Sequence, residues 1–200
     1  PTHECQDCRT REPYYSQVWA PYAYCSPLQD AIALFKYRGK VALADALGVL
    51  LLQAIPDRLD VDVLMPIPLH PTRLRQREFN QSLLIADRIG SARRLPVSYR
   101  NLIRTVDTAP QTSLPRAARL QNLRKAFAIR QPKEITGARI LLVDDVFTTG
   151  TTASECARVL LAAGAKQVAV LALARSVDAG MVPDTWLPPS ALNQTEFQRA

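Results

Sequence analysis

Two adjacent carboxylates, Asp144 and Asp145, are followed almost at once by Thr148, Thr149, Gly150, Thr151 and Thr152. A turn of that make-up binds phosphate when a helix starts from it. The first helical N–H groups lack internal partners, Gly150 lets the backbone come close, and four threonine hydroxyls can donate further bonds. The two aspartates would repel an anion, so they suit a different task, accepting hydrogen bonds from vicinal sugar hydroxyls beside the phosphate. A ribose 5-phosphate satisfies both halves. Taken singly, each residue is also what a strand end and a capped helix ordinarily carry. The whole block from Ile140 to Thr152 argues for a ligand.

The elements around the block fit that reading. Ile140 to Val143 is a continuous apolar run, too short for a helix, and is expected to be a strand buried on both faces and ending at the two acids. Ala153 to Ala163 has helical spacing and is followed by Gly164. Val168 to Leu173 reads as a second buried parallel strand, completing a β-α-β unit with an expected right-handed crossover. Upstream, Asp62 to Pro68 reads as a strand closed by prolines. Helices are expected over Leu28 to Tyr37, stopped at Gly39, then over Val41 to Ile55 and Asn80 to Arg93. A short strand is expected at Val97 to Tyr99.

Val143-Asp-Asp-Val-Phe-Thr-Thr-Gly-Thr-Thr152 resembles the phosphoribosyl pyrophosphate (PRPP) binding motif of type I phosphoribosyltransferases. The resemblance implies that Asp144 and Asp145 hold the ribose hydroxyls while Thr148 to Thr152 wrap the 5-phosphate. It also implies magnesium, bound with PRPP. Arg73, Arg75 and Arg77 alternate along the stretch after the proline-closed strand, which reads as a loop. In an open parallel sheet, ligands sit outside the carboxyl ends of the strands. These arginines are therefore candidates for a pyrophosphate clamp, set against a merely solvated basic loop. His70 is assigned no role.

Asn101 to Pro132 carries little sustained apolar period beyond a short helical pattern at Arg116 to Lys125. It holds six basic residues against the single acid Asp107. A connection of this length is usually a lid or binding loop. Arg104-Thr-Val-Asp-Thr-Ala-Pro-Gln-Thr-Ser-Leu114, with Arg119-Leu-Gln-Asn-Leu-Arg-Lys-Ala-Phe127, resembles the flexible loop of ComF proteins and of glutamine PRPP amidotransferases, which implies that Arg104, Thr105, Gln111 and Arg119 close on departing pyrophosphate and exclude water; a disordered basic loop is the alternative.

Pro66-Ile-Pro-Leu-His-Pro-Thr-Arg-Leu-Arg-Gln-Arg-Glu-Phe-Asn-Gln81 is similar to the signature of the ComF family, phosphoribosyltransferase-like proteins linked to bacterial competence and DNA uptake. Lys36-Tyr-Arg-Gly39 fits the same family, as does the knuckle Cys5-Gln-Asp-Cys8. Family members usually carry two such cysteine pairs, and this chain shows one. Cys5 and Cys8, with His3 and Cys25 as fillers, leave three readings open: zinc, a plain thiol pair, or half of a site whose other half lies upstream. Cys156 reads as core packing.

Length and composition bound the rest. Two hundred residues, 48% of them apolar, make one substantial domain. The expected fold is an α/β, mostly parallel open sheet flanked by helices. The chain divides into a cysteine-containing segment at 1–27, the main domain at 28–175 and an irregular tail at 176–200. No run approaches the roughly 18 apolar residues of a membrane span and no signal peptide opens the chain, so a cytoplasmic location without membrane insertion is expected. The net charge of +7 favours anionic partners. Expected partners are PRPP, an unidentified acceptor, and single-stranded DNA or proteins of the competence machinery. A non-catalytic PRPP-sensing or DNA-uptake accessory role is the alternative to transfer.

Overall fold

The computed structural model describes residues 12–37, 42–57, 59–107 and 125–176. The described elements run β1 (Val18–Trp19), β2 (Tyr22–Ala23), α1 (Leu28–Tyr37), α2 (Leu43–Ala54), β3 (Val63–Pro66), α3 (Pro71–Arg77), α4 (Gln81–Arg93), β4 (Leu102–Arg104), β5 (Phe127–Ile129), β6 (Arg139–Phe147), α5 (Thr151–Ala162) and β7 (Gln167–Arg175). The main sheet has the order β1, β7, β6, β3, with β2 also on β7, and every pair in it is parallel.

β6 is the central strand. Its alternate residues feed two cores: Ile140 and Leu142 pack with α5 residues such as Cys156 and Leu160, while Leu141 and Val143 pack with α1, α2 and α4. Burial on both faces explains the uninterrupted apolar run. At the strand's start, Arg139 pairs with Asp62 at 2.7 Å and with Asp60, pinning β6 to the entry of β3.

β3 pairs with β6 only from Val63 to Pro66, whose partner is Val143. The two prolines stop the pairing, because proline has no N–H to give a ladder. β6 runs four residues further, pairing on its other side with β7 as far as Phe147. The result is a notch at the C-terminal edge of the sheet, with Asp144 and Asp145 on its wall. The acids thus stand inside β6 rather than after it, because pairing with β7 continues where pairing with β3 has stopped.

Three further expectations change. The stretch carrying Arg73, Arg75 and Arg77 is a helix, α3, and not a loop: Pro71 occupies its first turn and His70 Nδ1 accepts from the Thr72 amide at 3.3 Å. Helical spacing puts Arg73 and Arg77, both half-buried, on one face and the exposed Arg75 on the opposite one. The long connection is anchored at both ends, since β4 and β5 form an antiparallel ribbon with Leu102 opposite Ile129. Phe127 and Leu102 of this ribbon enter the core beside α5. The described part of the N-terminal segment lies within the main sheet, where β1 and β2 form its edge on β7.

The cysteine knuckle at Cys5 and Cys8, His3, Gly39, the helical pattern from Arg116, Gln111, Arg119 and the tail from 177 lie outside the described residues.

Candidate functional site

The site is assembled on the notch. Successive residues of a strand face opposite ways, so Asp144 and Asp145 meet different surroundings. Asp145, 8% exposed, receives Lys36 from the last turn of α1, with Nζ 2.8 Å from Oδ2. Asp144 is half-buried; its Oδ1 accepts from Ser82 Oγ at 3.1 Å and from the Asp145 amide at 2.9 Å. Ser82 is placed by Asn80, which caps α4 through the Ser82 amide and ties its own amide group to the Ile67 carbonyl at 3.0 Å.

Burial first, and then the charge of Asp145, push the Asp144 carboxyl up to about 7; Lys36 and the two hydrogen bonds act in the opposite direction. For Lys36 the largest influence, burial, favours the neutral amine. The charge and hydrogen bond of Asp145, joined by Asp144 and Tyr24, outweigh it, and the ammonium is held above the ordinary lysine value. The site thus sets a firmly held Lys36 ammonium beside a carboxyl, Asp144, close to its titration point.

Behind the acids comes the threonine turn. Gly150 begins α5 in the left-handed region at φ 69°, and no side chain caps the helix. The first intrahelical bond is Ser154 N to Gly150 O, 2.8 Å, so the amides of Thr151 to Ala153 face the turn. Thr149 and Thr151 share a hydroxyl hydrogen bond of 2.8 Å. A Cβ on Gly150 would come within 2.6 Å of both Tyr15 Oη and Phe147 Cζ. Tyr15 stands edge-on to Phe147 at 6.0 Å, and the Tyr14 amide donates to Ser154 Oγ, so the N-terminal segment forms one wall of the turn.

Of the arginines singled out from sequence, Arg73 and Arg104 come together. Burial, followed by the like charge of Arg73, lowers the Arg104 guanidinium from its ordinary value, with Asp107 and Asp144 opposing. Arg104 also lies over the Phe127 ring at 5.6 Å. Arg77 donates to Gln81 Oε1 at 3.4 Å, whereas Arg75 points into solvent. Thr105 turns inward to its own ribbon, bonding the carbonyls of Lys125 and Ala126 at 3.3 Å.

Lys36, Ser82 and Gln81 are the site residues that sequence reasoning did not place. Lys36 had a signal, its position in the Lys36-Tyr-Arg-Gly39 run, but the same run reads equally well as a solvated helix end. Gln81, 1% exposed, carries an Nε2 with no protein hydrogen-bond partner.

A parallel α/β sheet whose central strand carries two acids in its C-terminal half and leads into a threonine-glycine turn and an uncapped helix start defines a type I phosphoribosyltransferase fold. The phosphoribosyl transferase domain model matches residues 81–191. Competence protein F of Haemophilus influenzae is 30% identical over 180 residues, covering 86% of this chain and 78% of that protein. The DNA utilization protein YhgH of Escherichia coli is 31% identical over 179 residues, with the same coverages. Competence protein ComFC of Bacillus subtilis is 31% identical over 183 residues, covering 86% of this chain and 72% of its own length. The chain belongs to the ComF family of phosphoribosyl transferase domain proteins.

Proposed function

We propose that this protein binds PRPP carried with magnesium and transfers its phosphoribosyl group to an acceptor, releasing pyrophosphate. One observation carries the reading: the acid pair and the uncapped, glycine-opened start of α5 stand together at the end of one buried strand. The helix amides and threonine hydroxyls take the 5-phosphate, and the acids take the ribose hydroxyls. Arg104, which feels the charges of both Arg73 and Asp144, supplies with Arg73 positive charge for the departing pyrophosphate.

The acceptor attacks the anomeric carbon, the bond from that carbon to the pyrophosphate oxygen breaks, and pyrophosphate departs with the electron pair. The protein's part is positioning and electrostatic stabilisation. No described side chain is required as a general base if the acceptor is an amine or a deprotonated nucleobase.

Among the described residues, no group of three or more His, Cys, Asp or Glu side chains is arranged to hold a metal. Magnesium fits nonetheless. It is commonly held by one or two carboxylates together with substrate phosphates and water, which the acid pair and PRPP supply between them. The ion would neutralise charge growing on the leaving group. The zinc reading rests on Cys5 and Cys8 and stays a proposal, tested by metal analysis of the purified protein.

The names of the relatives favour a second reading, in which PRPP binding serves DNA uptake through contacts with single-stranded DNA or competence proteins. No helix among the described residues is long and apolar enough to cross a membrane. Pyrophosphate release with PRPP, magnesium and a panel of amines and nucleobases separates the two. Transfer predicts release with one acceptor class and loss of that release in Asp145→Ala. Binding without release for any acceptor favours the accessory role.

A further inference from the structure

The two acids are supported from different directions, and each support uses only one oxygen. Ser82 Oγ and the Asp145 amide converge on Asp144 Oδ1, at 3.1 and 2.9 Å. Lys36 Nζ meets Asp145 Oδ2 at 2.8 Å. The support contacts thus fall on Asp144 Oδ1 and on Asp145 Oδ2. One oxygen of each acid is therefore spent on orientation, and the other is left to accept.

An apolar contact links the two supports. Phe35, fully buried, packs its ring against Phe79 at 5.6 Å. Phe35 precedes Lys36 on α1, and Phe79 precedes the Asn80 cap that places Ser82 on α4. The lysine and the serine thus reach the acid pair as one packed unit.

The Lys36–Asp145 pair has little water around it, with side-chain exposures of 18% and 11%. In such surroundings desolvation offsets much of the Coulomb attraction, so the contact adds little net stability. What it does supply is geometry.

We propose that Lys36 is a positioning residue of the sugar subsite: by holding one oxygen of Asp145 it fixes the other to accept from one hydroxyl of a vicinal diol. The site then prefers ribose to 2-deoxyribose. This rests on the PRPP-binding reading. It differs from a role in which Lys36 simply contacts the pyrophosphate, because it acts on a ligand that has none.

The test is calorimetric titration of ribose 5-phosphate and 2-deoxyribose 5-phosphate into the wild type and Lys36→Met, with PRPP and magnesium as a reference ligand for the wild type. The wild type should favour ribose 5-phosphate by about tenfold or more, the scale of one charge-assisted hydrogen bond. Lys36→Met should bind the deoxy sugar as the wild type does, which shows that its fold and phosphate turn are intact, while the ribose preference disappears. A variant that keeps the wild-type ratio overturns the role of Lys36, and so does one that loses both sugars equally or a wild type without preference. If the wild type binds PRPP in any of these cases, only the Lys36 inference falls. If it binds neither PRPP nor the sugar phosphates, the underlying PRPP reading falls as well.

Discussion

Asp144 and Asp145 share a chemistry but not an environment, because neighbours on an extended backbone face opposite sides. Asp145 meets the Lys36 ammonium; Asp144 meets the Ser82 hydroxyl and the Asp145 amide. Between about pH 4, where an unfolded aspartate ionises, and about 7, the folded Asp144 keeps a proton that the unfolded chain has lost. The folded state therefore binds more protons in this window, and this group makes stability fall as pH rises through it. Asp144→Asn should gain on the wild type in urea denaturation as pH goes from 5 to 8, and curves that stay parallel would remove the assignment. Gly150 offers a second check. Its positive φ costs a residue with a Cβ about 1–2 kcal/mol, before any contact with Tyr15 and Phe147. Gly150→Ala should be less stable by at least that amount and should bind PRPP more weakly by calorimetry.

Among the elements, β6 does the organising because it outlasts β3. The prolines that stop β3 create the notch, and α4, following it, brings Ser82 to the acid there. The closeness of α4 to its neighbours can be tested. A Cβ on Gly90 would meet the Leu95 carbonyl oxygen at 2.8 Å and Val97 Cγ2 at 2.7 Å. Overpacking of this kind costs about 1–3 kcal/mol, against roughly 1 kcal/mol gained in helix propensity. Gly90→Ala should therefore lower the urea midpoint while the folded protein keeps its PRPP affinity; unchanged stability would mean the backbone yields freely. Helix α1 was legible from its apolar period, and α4 was expected from Asn80, where its cap stands. α3 was not, because a short run of arginine and proline has no apolar stripe to show. β1, β2, β4 and β5 escaped for a related reason: strands of two or three residues are too short for alternation to register.

For the molecule as a whole, the legible part of the site is the part that is contiguous in sequence. Asp144 to Thr152 lie on one strand, one turn and one helix start, so their types and spacing stand together on the page. Lys36 is 109 positions from Asp145 and Ser82 is 62 from Asp144, and only the packing of α1 and α4 on the sheet brings them in. The arginines fall between these cases: their charge was plain, but helix α3 turns Arg75 away from Arg73, and ribbon pairing brings Arg104 in. The excess of positive charge is consistent with an anionic ligand and with nucleic acid alike. The most direct measurement is therefore calorimetric titration of PRPP with magnesium into the wild type and into Asp144→Ala/Asp145→Ala. Binding that weakens at least tenfold, about 1.4 kcal/mol, in the double variant is the predicted result. Equal affinity in the two proteins, or none in the wild type, would contradict the assignment of the notch to PRPP.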